Sequence, residues 1–236
     1  MKRAPQIDTS ALEKLRGSLV VSCQPVDDGP MDQPSITAAM ALAAEAGGAA
    51  GLRIEGIDNL AATRSLTSLP IIGIIKRDLP ASPVRITPFV VDVENLISRG
   101  ADIVAYDATD RPRPVATVDL VRAIKRQGKL AMADCATIRD AQTALAEGAD
   151  IIGTTLSGYA YQIAPPGAGP DLDLIRAFKA LGAFVMAEGR INSPQLAELA
   201  MAAGADCVTV GSAVTRVEHI TNWFVQAVAE VSDNHG

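Results

Sequence analysis

The stretches Gly100-Ala-Asp-Ile-Val104, Gly148-Ala-Asp-Ile-Ile152 and Gly204-Ala-Asp-Cys-Val208 are copies of one pattern, and Gly48-Ala-Ala-Gly-Leu52 is a weaker fourth. Each follows a helical run. The glycine supplies the left-handed terminator of that helix, and the apolar pair opens a strand. The copies are 52, 48 and 56 residues apart, twice the length of one strand-loop-helix unit. Between them lie four more short apolar runs, Leu19–Cys23, Ile71–Ile75, Leu130–Ala133 and Phe184–Ala187. Runs of this length read as buried parallel strands. Eight strands alternating with helices predict an α/β protein, a single (β/α)8 TIM barrel over residues 1–236. Residues 1–16 form an entry segment in which Ser10 to Leu15 make a helical turn over the barrel bottom. A doubly wound open sheet is the competing architecture, and a count of eight evenly spaced strands weighs against it.

Helices are expected over Ser35–Ala46, Asp92–Ser98, Val115–Gln127, Thr137–Glu147, Asp171–Leu181 and Ser193–Ala203, where apolar residues recur at three and four. Ser193-Pro194 is a cap followed by proline at the first helical position. A last helix, Glu218 to Val231, sets Ile220, Phe224, Ala227, Val228 and Val231 on one stripe and is expected to close the ring. Trp223 beside it would cover a seam or a subunit contact, and a homodimer is allowed for.

Composition narrows the function. Hydrophobic residues make up 48% and charged residues 20% of the 236, with a net charge of −6; no block concentrates lysine and arginine, which argues against nucleic acid as a partner. The start, Met1-Lys-Arg-Ala-Pro-Gln-Ile-Asp8, has charge without an apolar core, so neither a signal peptide nor a membrane partner is expected and a cytoplasmic location is. Cys23, Cys135 and Cys207 are widely spaced and read as buried reduced thiols. His219 and His235 are the only histidines, and without paired spacing they predict no metal site.

In a TIM barrel the loops that follow the strands carry the chemistry. The strand ends read Gln24, Arg53, Lys76, Asp107, Asp134, Thr155, Glu188 with Arg190, and Gly211-Ser212. Lys76 leaves the apolar run Ile-Ile-Gly-Ile-Ile, where desolvation frees a neutral amine, and burial of Glu188 would make it a proton donor. Strands three and seven face each other across the ring, so this pair suits proton transfer on both sides of one carbon. Gly189, Gly211 and Ser212 follow strands seven and eight, the usual phosphate corner of the fold, with Arg190 and Arg216 as charge partners. The residues from 156 to 170 make the longest irregular stretch and read as a lid carrying Tyr159 and Tyr161.

The ordered motifs Val-Ser-Cys-Gln (21–24), Gly-Ile-Ile-Lys-Arg-Asp (73–78), Ile-Thr-Pro (86–88), Met-Ala-Asp (132–134), Ile-Gly-Thr-Thr-Leu-Ser-Gly-Tyr (152–159) and Glu-Gly-Arg-Ile (188–191) resemble the N-acetylmannosamine-6-phosphate 2-epimerase family. The match runs from about Gly17 to Phe224. The resemblance implies interconversion of N-acetylmannosamine 6-phosphate and N-acetylglucosamine 6-phosphate in sialic acid catabolism, without metal, nucleotide or other cofactor. It implies Lys76 and Glu188 as the catalytic pair, substrate contacts at Gln24, Arg53 and Asp134, and phosphate contacts at Gly189, Gly211 and Arg216. The alternatives are a Schiff-base phosphosugar aldolase acting through Lys76 and a barrel that binds a sugar phosphate without catalysis. A metal-dependent epimerase is disfavoured because no strand ends in histidine.

Overall fold

The structure, a computed structural model, describes residues 8–161, 163–165 and 167–233. Residues 1–7 of the entry segment and His235 lie outside them. Eight parallel strands close into a barrel in chain order. They are β1 (Ser18–Cys23), β2 (Gly51–Glu55), β3 (Ile71–Ile74), β4 (Ile103–Asp107), β5 (Leu130–Asp134), β6 (Ile151–Gly153), β7 (Phe184–Glu188) and β8 (Cys207–Val210). The helices are α1 (Ser10–Leu15), α2 (Pro34–Ala46), α3 (Ile57–Arg64), α4 (Val90–Ser98), α5 (Thr117–Arg126), α6 (Ile138–Glu147), α7 (Leu172–Ala180), α8 (Pro194–Ala202), the short α9 (Ser212–Thr215) and α10 (Val217–Asp233). None among the described residues is long and apolar enough to cross a membrane.

The repeat does what its residues dictate. Gly48, Gly100, Gly148 and Gly204 all take positive φ, between 97° and 107°, where a side chain would be strained. The aspartate two residues on has a second job. Asp102 accepts from the Ile71 N–H at 3.1 Å, Asp150 from Ala131 at 2.8 Å and Asp206 from Val185 at 2.9 Å. Each therefore staples its own strand to the start of the preceding one, and each pairs with a cation from the helix before that strand: Arg64, Lys125 or Lys179. The weaker fourth copy has Ala50 at this place and no staple.

Side chains on a strand alternate, so residues two apart share a face. Val20, Ile72, Ile74, Ile103, Ala105, Leu130, Met132, Ile151, Met186 and Cys207 form the cluster inside the barrel. Leu15 and Ala11 of α1 plug its lower end, as expected of the entry segment, and the place where Gly51 would carry a Cβ is taken by Leu15 Cδ2. The alternate residues, among them Val21, Leu52, Ile54, Tyr106 and Val208, pack outward with the helices in the larger cluster. Cys23, Cys135 and Cys207 are free and buried.

Two expectations about helices need correcting. The short α3, between β2 and β3, is absent from the sequence reading; it buries only Leu60 and Thr63 and carries almost no amphipathic signal. The helix at the C-terminal end does not bury the predicted stripe: Phe224 is 70% exposed and Val228 69% exposed. Trp223 borders the cavity described next, together with His219. The remaining helices fall within about two residues of expectation, as helix ends fray, and Ser193 caps α8 by accepting from the Leu196 N–H.

Candidate active site

Extending the inward series one step upward reaches polar residues: Val20 leads to Ser22, Ile74 to Lys76, Met132 to Asp134, Gly153 to Thr155, Met186 to Glu188 and Cys207 to Thr209. The apolar barrel core thus ends in a polar layer at the carboxyl ends of the strands. Above it opens a cavity of about 480 Å³ lined by Gln24, Arg53, Lys76, Glu188, Gly189, Arg190, Gly211, Ser212 and Arg216, with Ser22, Thr155, Tyr159, Thr209, His219 and Trp223 among the rest. Lys76 and Glu188 share this one space.

Arg53 organises its floor. It is not the end of β2 but the middle, inward-facing and 1% exposed. Its Nη2 donates to Asp134 Oδ2 at 2.7 Å; Nη1 donates to Asp134 Oδ1 at 3.1 Å and to Glu188 Oε2 at 3.0 Å. Burial opposes the charge on Arg53, but Asp134 and Glu188 outweigh it and hold the guanidinium firmly protonated. The space between these carboxylates, where a cation would otherwise sit, is filled by that guanidinium. Among the described residues no group of three or more His, Cys, Asp or Glu could hold a metal ion.

Asp134, expected in substrate contact, belongs to the polar layer but is covered by Arg53. It is fully buried behind Arg53 and has no surface on the cavity. Thr155 Oγ1 donates to its Oδ1 at 2.6 Å and stands 3.4 Å from Glu188 Oε2. Arg190 also departs from expectation. With φ +57°, it borders the cavity but turns its guanidinium to the lid, donating to Gly169 O at 2.8 Å and to Ser157 O and stacking over Tyr159 at 5.7 Å. It ties both ends of that loop together; Arg216 lines the cavity with Gly211 and Ser212, and its Nε donates to Gln24 O at 3.0 Å. Of the lid tyrosines, Tyr159 faces the cavity, whereas Tyr161 donates to Asp140 outside it. Asp107 supports its own loop through Thr109, Arg111 and Arg113.

The two central groups are shifted toward neutrality. Burial raises the Glu188 carboxyl to about 7, Asp134 adds to the rise, and Arg53, Thr155 and Lys76 oppose it. Burial lowers the Lys76 amine, Glu55 partly restores it, and Arg216 and Arg53 lower it further. Both shifts favour the uncharged form, of an acid at Glu188 and of a base at Lys76. Burial pushes the thiols of Cys23 and Cys207 up to about 12 and that of Cys135 well above its ordinary value, so none is a ready thiolate.

Sequence reading missed Glu55, whose Oε1 accepts from the Lys76 N–H at 3.2 Å, and the inward hydroxyls of Ser22 and Thr209. Counting by twos up each strand would have found all three. Among the described residues Arg53 Nε and Thr209 Oγ1 are buried without a hydrogen-bond partner, polar capacity at the cavity wall that a bound polar molecule can satisfy.

Comparison with known proteins agrees with this geometry. Residues 37–230 match the NanE family model, described as "Putative N-acetylmannosamine-6-phosphate epimerase". A Haemophilus ducreyi protein named "Putative N-acetylmannosamine-6-phosphate 2-epimerase" is 56% identical over 225 residues, 95% of this chain and 97% of its own. The bifunctional enzyme NanE/NanK of Brucella suis is 58% identical over 217 residues, 92% of this chain and 41% of that protein. Among solved structures, the N-acetylmannosamine-6-phosphate 2-epimerase from Clostridium perfringens superposes with a TM-score of 0.87 at 39% identity, covering 92% of this chain and 95% of the other. The chain therefore belongs to the N-acetylmannosamine-6-phosphate epimerase family.

Proposed function

We propose that this epimerase inverts C2 of N-acetylmannosamine 6-phosphate through Lys76 and Glu188. The observation that carries the assignment is their meeting across one cavity from β3 and β7, each with its ionisation pulled toward the neutral form. The sugar ring opens to the aldehyde, which makes the C2 hydrogen acidic. The Lys76 amine takes that proton, the C–H electrons move into an enolate with charge on O1, and Glu188 returns a proton to the opposite face of C2. N-acetylglucosamine 6-phosphate is the product, as sialic acid catabolism requires. After one turnover the pair is left as ammonium and carboxylate, the protonation state needed for the reverse reaction, so both directions share one pH profile.

Arg53 supplies fixed positive charge for the developing enolate, in a site already organised before substrate arrives. Gln24 and Arg53 hold the sugar; Asp134 acts through Arg53. Gly189, Gly211, Ser212 and Arg216 receive the phosphate, with Arg190 holding the lid beside them. The reading needs no cofactor and takes a small sugar phosphate, not a nucleic acid or membrane, as its partner. We expect residues 1–236 to act as one domain in the cytoplasm. Family membership does not favour the aldolase or the non-catalytic binder.

The test is exchange at C2. Incubation with N-acetylmannosamine 6-phosphate in heavy water should place deuterium at C2 of both sugars, read by NMR. Lys76→Ala and Glu188→Gln should each lose about 10²- to 10⁴-fold in turnover while still binding phosphate. Near-normal turnover in both variants would refute the assignment.

A further inference from the structure

We propose that Thr155 is a positioning residue for Glu188, its hydroxyl turning its one proton between Asp134 and Glu188 as the glutamate changes charge in each catalytic cycle. The proposal rests on the epimerase reading, since it assumes that Glu188 gives up and regains a proton.

The geometry has four parts. Thr155 Oγ1 stands 2.6 Å from Asp134 Oδ1 and 3.4 Å from Glu188 Oε2, yet a hydroxyl has one hydrogen to give. Arg53 Nη1 bridges the same two oxygens, at 3.1 Å and 3.0 Å. Glu188 Oε2 is thus engaged from below, while Oε1 accepts from no described residue. The backbone of Glu188 is fixed as well: Thr154 Oγ1 donates to its carbonyl at 2.9 Å and accepts from its N–H at 3.0 Å. Finally, a Cβ at Gly153 would come within 3.0 Å of Thr155 Oγ1, so the hydroxyl turns in a space kept open by the missing side chain.

These facts assign the two oxygens of Glu188 different work. When Glu188 is ionised, the Thr155 hydrogen turns toward Oε2 and adds a charge-assisted hydrogen bond to that of Arg53. When Glu188 is neutral, its proton sits on Oε1, the oxygen with no fixed donor, and the Thr155 hydrogen returns to Asp134. The acid proton is thereby kept on the oxygen left for substrate, and no carboxyl rotation is needed between half-reactions. Removing the hydroxyl costs the neutral form its bond to Asp134 and the charged form whichever of the two bonds is the stronger, so the loss falls more heavily on the charged form and favours the neutral one.

Thr155→Val, Thr155→Ala and Thr155→Ser test this in the full chain. Glu188 is titrated by carbon-13 NMR of enzyme labelled at the glutamate carboxyls, with Glu188→Gln assigning its signal; turnover and KM are measured across pH. Valine and alanine should move the Glu188 titration up by about one pH unit and lower kcat on the order of ten- to a hundred-fold with little change in KM. Serine should restore both. Alanine guards against a valine variant that packs badly. The proposal is overturned if the Glu188 titration stays at the wild-type value in valine and alanine, or if serine behaves as they do. A wild type that exchanges no C2 hydrogen would instead overturn the epimerase reading, a result the titration cannot produce.

Discussion

The two ends of the barrel are built from similar charges in opposite ways. At the end where the strands begin, aspartates from a repeated motif each bind one backbone N–H and one cation of the unit before, three times around the ring. At the end where they finish, a single cluster of Arg53, Asp134, Thr155 and Glu188 occurs once, binds no strand start, and borders a cavity. The repeated carboxylates complete backbone hydrogen bonds and hold units together. The unrepeated ones are packed against each other at a cost in desolvation, an expense that makes physical sense only if their ionisation is used. Charge at the lower end should therefore govern stability, and charge at the upper end the reaction.

The largest expected effect sharpens that division. Lys76→Ala should remove about 10²- to 10⁴-fold of turnover yet leave the free energy of unfolding, from urea titration, within about 1 kcal/mol of wild type, because a rim side chain gives up little packing. A variant that lost activity only by unfolding would break the comparison.

Next is the pH dependence of Glu188. Its carboxyl is raised from the ordinary 4.5 to about 7, so the folded protein holds that proton more tightly than the unfolded chain. The stability this confers is complete below the unfolded value and is lost as pH rises through the folded one. Glu188→Gln does not titrate there. Its stability relative to wild type should improve between about pH 4.5 and 7 and level off above, with a ceiling of about 3 kcal/mol. Urea midpoints at pH 5 and pH 8 measure it, and a constant difference would show Glu188 titrating as an ordinary surface acid.

At the lower end, Asp206 behaves with the opposite sign. Burial works to raise it, but Lys179, the Val185 N–H and Arg16 outweigh burial and hold it below the usual range. Asp206→Ala leaves the buried Val185 N–H unpaired and should cost about 2 kcal/mol, a fall in Tm of about 4–8 °C, with kcat of the folded enzyme unchanged. Wild type should lose the charge-dependent part of this contribution as pH falls through the lowered value. A drop in kcat without a drop in Tm would mean that the staple also serves the site.

The lower end was legible in the sequence and the upper end only half so, for a physical reason. A glycine that stops a helix and an apolar pair that starts a strand are local signals, and they repeat. Lys76 and Glu188 were also readable, because a charge at the end of an apolar run needs no distant partner to be noticed. Arg53 reads as a strand end because an arginine within Leu52-Arg53-Ile54 looks like a boundary. It is held inside the barrel by Asp134 and Glu188, 81 and 135 residues away, contacts that no local pattern reports. The burial of Asp134 follows from the same pairing, and the turn of Arg190 to the lid from carbonyls at Ser157 and Gly169. The outward Phe224 shows the converse: a stripe with helical spacing shows which residues share a face, not which way that face is turned.

The smallest effect tests whether the upper cluster depends on space as well as charge. Gly153 lies on β6 with φ in the ordinary range, so alanine there meets no backbone strain. An added Cβ would lie 2.7 Å from Met132 Cε, 3.0 Å from Thr155 Oγ1 and 3.4 Å from Asp134 Oδ1. The methionine end can shift, but the carboxylate is held by Arg53 and the threonine hydroxyl by that carboxylate, so both have less room to give. Gly153→Ala should then cost about 1 kcal/mol of stability, the lower range for overpacking, and lower kcat by about fivefold through displacement of Thr155, with KM little changed. Gly51→Ala would crowd Leu15 at the lower plug instead and should reduce stability without touching kcat. Equal effects of the two on kcat would mean that strain spreads along the whole barrel interior, and the separation of its two ends would fail.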